Sequence, residues 1–162
     1  MTTLEATYTS SFARPRQTRT IWAVPRKTSY VAAKLARNRS LDHALRELNG
    51  VRGASKASID QMRGHLQRVL TDGMAFASIS SDGDGGTLAQ WRAGRSYIAF
   101  EVSPHGQDSL VYADTNGNLI VNTVGPEACD TGRLHVALQR FTADLNARKP
   151  DWRAVRESHG RR

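Results

Sequence analysis

Apolar residues recur at helical spacing in the first half of the chain. Between residues 29 and 48 they are Val31, Leu35, Leu41, Ala44, Leu45 and Leu48, and this period predicts helix. Ser40 has the character of an N-cap. Two helices over 29–38 and 41–48, with a break at Asn38-Arg39, are therefore an alternative to one continuous helix.

A second helical stripe predicts a helix over residues 55–71, starting at Ser55 or Ser58. Its apolar positions are Ile59, Met62, Leu66, Val69 and Leu70. A third stripe predicts the last helix over 130–147, and its apolar positions are Leu134, Ala137, Leu138, Phe141 and Leu145. Both patterns repeat every three or four residues, as expected for helices that bury one face.

Between these helices the apolar period changes to two, which is typical of strands. Asn116-Gly117 is a strong hairpin signal, and Ala93-Gly94-Arg95 predicts a second short hairpin. The pattern gives five consecutive strands over 75–79, 87–92, 96–102, 109–113 and 118–124. Helices, an antiparallel meander and a closing helix make an α+β fold.

Charge is concentrated at the two ends of the chain. The first 39 residues carry +7 of the formal net charge of +8, the last 15 add +4, and residues 40–147 carry −3. We therefore divide the chain into a basic arm (1–28), one α+β domain (29–148) and a basic tail (149–162). Such a charge distribution indicates what kind of partner the protein binds rather than which fold it adopts.

The basic N-terminal residues predict a non-enzymatic module that binds an anionic macromolecule. The leading candidate for this partner is nucleic acid or a nucleoprotein complex. Arg and Lys neutralise phosphates, and bases stack on aromatic rings and guanidinium planes. The candidate binding residues are Arg14, Arg16, Arg19, Trp22, Arg26, Lys27, Lys34 and Arg37. An acidic protein partner or another subunit is the competing partner for the same arm.

The second hypothesis is a protein-directed regulator, such as an inhibitor or an antitoxin-like accessory protein. It would bind its partner through the face of the sheet that the helices leave open. Trp91, Tyr97 and Tyr112 are the candidate anchors, because large aromatic side chains dominate protein interfaces. Their faces depend on strand register.

Catalysis, metals and cofactors are not expected. The acidic loops at Asp82 and Asp114 lack the ligand spacing of a calcium loop and are interpreted as turns. No pair of zinc ligands lies close in sequence. An enzyme is the third hypothesis, with Cys129 activated by His135 or His105 and by a position before a helix, which lowers thiol pKa.

The single cysteine suits a reducing, cytoplasmic setting. No apolar run approaches the length of a membrane span, so no membrane partner is expected. Oligomeric state is left open.

Residues 48–102 contain Leu-Asn-Gly-(x2)-Gly-Ala before a helix, then Gly-Gly-Thr-Leu-Ala-Gln-Trp-Arg-Ala-Gly and Tyr-Ile-Ala-Phe-Glu-Val. This stretch resembles a family of small, mostly uncharacterised bacterial and phage proteins with a Gly-Gly-(x4)-Trp hairpin. The family usually has Trp-Asp-Gly where this chain has Asn49-Gly50. The resemblance implies an α+β fold and an accessory or mobile-element gene, and it transfers no catalytic residue.

Overall fold

The structure is a computed structural model that describes residues 38–154. The basic arm and the stretch 29–37 lie outside the described residues, as does the end of the tail. No helix in the described range is both long and apolar enough to cross a bilayer.

Two helices open the described chain. Helix α1 spans Arg39–Gly50, and Asn38 is its N-cap, accepting a hydrogen bond from the backbone N–H of Leu41. A helix therefore begins directly after Asn38, whereas the first of the two predicted helices lies almost wholly outside the described residues, and the expected cap at Ser40 is wrong. Ser40 lies inside the helix, where its buried hydroxyl donates to the Met74 carbonyl. Helix α2 spans Lys56–Val69, with Ser55 as N-cap as predicted.

Five antiparallel strands follow in the order β1-β2-β3-β4-β5, so each strand pairs with its neighbour in sequence. Their bounds are Ser78–Ser81 (β1), Thr87–Ala93 (β2), Ser96–Val102 (β3), Ser109–Ala113 (β4) and Leu119–Val124 (β5). A short 3-10 turn, Gly125–Glu127, leads to helix α3, Thr131–Arg148, which Asp130 caps. The predicted α+β fold is confirmed.

The first strand begins three residues later than its period indicates. The backbone N–H of Ala75 donates to the hydroxyl of Thr142, and the Ala75 carbonyl accepts from the indole of Trp91. Side chains of α3 and β2 thus satisfy both main-chain polar groups of Ala75, so this residue needs no neighbouring strand. Ala75 and Ala77 are nevertheless buried, which explains the alternating pattern.

Both acidic loops are turns, as the spacing of their residues predicts. One carboxylate oxygen of Asp82 accepts the N–H groups of Asp84 and Gly86. Asp114 does the same for Asn116 and Asn118. Hydrogen bonds hold the pKa of Asp114 below its usual value, and the bond from the backbone of Asn118 has the largest effect.

The core lies between one face of the sheet and the helices. Trp91, Ile98, Tyr112 and Val121 are register partners across β2 to β5 and form one row on this face. Helix α1 packs on β1, α2 on β2 and β3, and α3 on β3. The core also extends past residue 148, because Trp152 packs against it and Arg153 donates to the Gly73 carbonyl.

Replacing Trp91 by Ala should lower the free energy of unfolding by about 3–5 kcal/mol, because it leaves a cavity and removes the hydrogen bond to Ala75. Urea denaturation followed by circular dichroism measures this loss. The exposed neighbour Arg92 is the control, and Arg92→Ala should change stability by less than about 0.5 kcal/mol. Equal effects of the two substitutions would contradict this packing.

Candidate functional site

The aromatic residues proposed as interface anchors do not form one exposed surface. Trp91 is 1% exposed and belongs to the core, so its assignment as an anchor is wrong. Register places its ring on the helix-covered face, opposite to the open one. Tyr97 is half-buried on the open face. Tyr112 is 3% exposed on the helix side, where it borders a groove.

The exposed apolar surface lies instead on β5. Leu119, Ile120 and Val124 of this strand are 55%, 48% and 65% exposed. Within residues 38–154, β5 pairs with β4 on one side and has no strand on the other. Its hydrogen-bonding groups on that free side can therefore accept another strand.

A bulge shapes this edge. Val121 pairs with Tyr112 and Leu119 pairs with Ala113, so Ile120 is an extra residue in the ladder. Bulges bend a strand and change the direction of a side chain. Ile120 consequently faces α3 and lines the groove between that helix and β5.

The groove has a volume of about 360 Å³ and a mainly apolar surface. Tyr112, Ile120, Val121 and Val136 contribute to its walls, and Arg133 and Arg140 lie along its helix side. Arg133 is paired with Glu127 and Asp130. Burial raises the pKa of Tyr112 above 10.0, so its hydroxyl is neutral at physiological pH.

A second, buried polar cluster surrounds Asp108, which precedes β4 and is 1% exposed. One carboxylate oxygen accepts the backbone N–H of Ser103 at 2.9 Å. The other accepts the amide of Gln61 at 2.7 Å and the thiol of Cys129 at 2.8 Å. No Lys or Arg of the described chain forms an ion pair with it.

His65 joins the same cluster from α2, one turn after Gln61. Its nitrogen, an Asp108 oxygen and the Cys129 sulfur lie within 4.8 Å of one another. The ring is 5% exposed and packs edge-to-face on Phe100. Its Nδ1 is buried and has no hydrogen-bond partner. Burial, and next the positive charge of Arg68, lowers the pKa of His65 below its usual value, and the negative charge of Asp108 opposes this shift.

The thiol of Cys129 is not activated in this arrangement. Burial raises its pKa from 9.0 to about 11, and the hydrogen bond and charge of Asp108 act in the same direction. The expectation of a lowered pKa before the helix is therefore wrong. The expected partners are wrong too, because His135 bonds the Val69 carbonyl and His105 is exposed in a turn.

Sequence spacing missed this cluster because its members come from three distant segments. His65 lies on α2, Asp108 follows β3, and Cys129 precedes α3. Two local signals were present: Gln61 and His65 are one helical turn apart, and a single Asp follows the Ser103-Pro104 turn. Neither indicates a site until the fold brings the segments together.

Charge in the described part of the chain is balanced, with thirteen basic and thirteen acidic residues over 38–154. The net charge of +8 therefore belongs to residues outside that range. The candidate binding residues from Arg14 to Arg37 also lie outside it.

No family model, curated protein or solved structure matches this chain.

Cys129 should react slowly with iodoacetamide in EDTA, because the thiolate is the reactive form. With a pKa of about 11, about one thiol in a thousand is ionised at pH 8. The rate for the folded protein should still rise steeply at pH 10, whereas the rate for the guanidinium-unfolded chain should reach half of its maximum near pH 9. Asp108→Asn removes a negative charge and should speed the reaction at pH 8. An early plateau in the folded protein would contradict the raised pKa.

Proposed function

We propose that this protein is a non-enzymatic binding module that takes an extended segment of another protein along β5. One observation carries the proposal: an apolar edge strand continues into an open apolar groove. Main-chain groups of β5 would pair with the segment, and alternate side chains of the segment would enter the groove. Strand addition of this kind gives affinity through the backbone and specificity through pockets.

The chemistry of the rim favours a segment that combines apolar and acidic residues. Arg140 is exposed on the helix side of the groove and can meet a carboxylate of the partner. A second copy of this chain fits less well, because Leu-Ile-Val-Asn-Thr-Val of β5 carries no acid to pair with Arg140. The partner is therefore another protein.

A regulatory role suits such a module, in the class of inhibitors or antitoxin-like accessory proteins. The resemblance over residues 48–102 supports an accessory role. The binding surface differs from the open sheet face expected from the sequence, since it uses the sheet edge and α3.

Synthetic peptides in which Val or Ile alternates with Glu should bind the full-length protein at least about ten-fold more tightly than matched Lys peptides. Fluorescence anisotropy measures the affinities. Amide shifts in nuclear magnetic resonance spectra should map the bound peptide to β5 and α3. Arg140→Glu should reverse the preference, because it reverses the charge at the groove rim.

Arg148→Glu is the matched control, since Arg148 is exposed on the same helix but does not line the groove. It should leave the preference unchanged. Absence of peptide binding, or shifts confined to other strands, would contradict the proposal. A concentration-dependent dimer that Val136→Asp dissociates would show that a second copy occupies the groove.

Nucleic-acid binding through the termini is the second candidate function, and the charge distribution favours it. Residues 38–154 have no net charge, and the residues on either side of them are basic. With this arrangement, phosphate binding would depend on the two ends of the chain. This module would act on a nucleic acid or a nucleoprotein complex, and the groove could still contact its protein component.

Full-length protein should bind fluorescent DNA or RNA with a log–log salt slope of about −5 or steeper if five or six phosphates are neutralised. Replacing Arg14, Arg16, Arg19, Arg26 and Lys27 together by Gln should flatten the slope by about four units. Gln at the exposed body positions Arg46, Arg52, Arg92 and Arg95 is the control. No binding at 50 mM salt, or an equal effect of the two sets, would exclude this function.

A further inference from the structure

We propose that His65, Asp108 and Cys129 form a binding site for a divalent transition-metal ion, and that zinc is the ion that fits this set of side chains. The inference is independent of the proposed binding function. An imidazole nitrogen, a carboxylate oxygen and a sulfur are the donors that zinc uses in proteins. Three protein ligands leave a fourth position for water.

The spacing of the three donor atoms is close to that of a coordination sphere. They lie within 4.8 Å of one another, and the sulfur is 2.8 Å from the Asp108 oxygen. A tetrahedral zinc ion holds such atoms ~3.3–3.8 Å apart. Side-chain movements of about 1 Å would therefore close the site around an ion.

The polar groups of the cluster are incompletely satisfied without a cation. The carboxylate of Asp108 is buried, and no basic side chain of residues 38–154 pairs with it. The Nδ1 atom of His65 is inaccessible to solvent and has no hydrogen-bond partner. Buried polar groups without partners are costly. An ion bound by the cluster would supply the positive charge that the buried carboxylate lacks.

The surroundings hold the ligands as those of metal sites do. Gln61 and the backbone N–H of Ser103 fix the carboxylate of Asp108 through one oxygen each. Hydrogen bonds from neighbouring groups orient the side chains that bind a metal and raise metal affinity. Cys129 is half-buried, which gives an ion a route to the cluster.

A metal site explains the cluster better than a nucleophilic cysteine does. The thiol donates its hydrogen bond to the Asp108 carboxylate, and within residues 38–154 no imidazole hydrogen-bonds to the thiol as the expected catalytic base would. Metal binding would break the S–H bond and release its proton to solvent, leaving the electron pair on sulfur to form the metal–sulfur bond. No oxidant or further reactant is needed.

Cobalt is the probe, because thiolate-bound Co²⁺ has a charge-transfer absorption in the near ultraviolet and because Cys129 is the only cysteine. Full-length protein, freed of metal with EDTA and dialysed, is titrated with Co²⁺ and then with Zn²⁺. We expect one Co²⁺ per chain with this absorption and its loss when Zn²⁺ displaces the cobalt. Zn²⁺ should also raise the Tm by several degrees.

Variants separate the site from adventitious binding. Cys129→Ser keeps a hydrogen-bond donor for Asp108, so it should fold and lose the absorption. His65→Ala and Asp108→Asn should weaken cobalt binding by more than about 100-fold, and Gln61→Leu by about 10–100-fold. His105→Ala, which changes an exposed histidine, should have no effect.

Two results would overturn the proposal. One is wild-type protein that shows no thiolate-to-cobalt absorption and no Tm shift with excess ion, which would make the cluster a closed hydrogen-bond network. The other is absorption that persists unchanged in His65→Ala and Asp108→Asn, which would mean that Cys129 binds cobalt with other residues.

Discussion

The helices cover β1 to β3 more fully than β4 and β5, and this incomplete cover determines where the molecule is open. A meander of five strands presents one apolar face that must be buried. Helix α3 packs on β3 and leaves a gap before β5, which becomes the groove. Leu119 and Val124 then remain exposed on an edge strand. Proteins usually protect such edges with charge or cover, and no strand of residues 38–154 covers this one; the proposed function starts from that observation.

The buried cluster lies next to the start of helix α3. Asp108 connects α2 through Gln61 to the loop before β4, and Cys129 connects it to the start of α3. The cluster therefore positions the first turn of the helix that forms one wall of the groove. Asp130, the cap of that helix, both follows Cys129 and lines the groove. An ion held by the cluster would stabilise this wall without contacting the partner.

Local pattern predicts most of the fold. The hairpins at Gly94 and Gly117 follow from residues that take positive φ, as both glycines do in the structure. The start of β1 could not be predicted, because Thr142 and Trp91 replace its ladder through contacts across the fold. The face of Trp91 depends on register, and the convergence of His65, Asp108 and Cys129 depends on how helices pack on the sheet. Neither can be predicted from the local spacing of apolar residues.

In the proposed function, β5 is an open edge in the free protein and a partner strand pairs with it. Residue-resolved amide hydrogen exchange of the full-length protein tests this most directly. The amides of Leu119–Val124 that do not bond β4 should exchange almost without protection, while those of β3 should exchange slowly. Uniform protection of all six β5 residues in the free monomer would show that another part of the chain already covers the edge, and would contradict the claim.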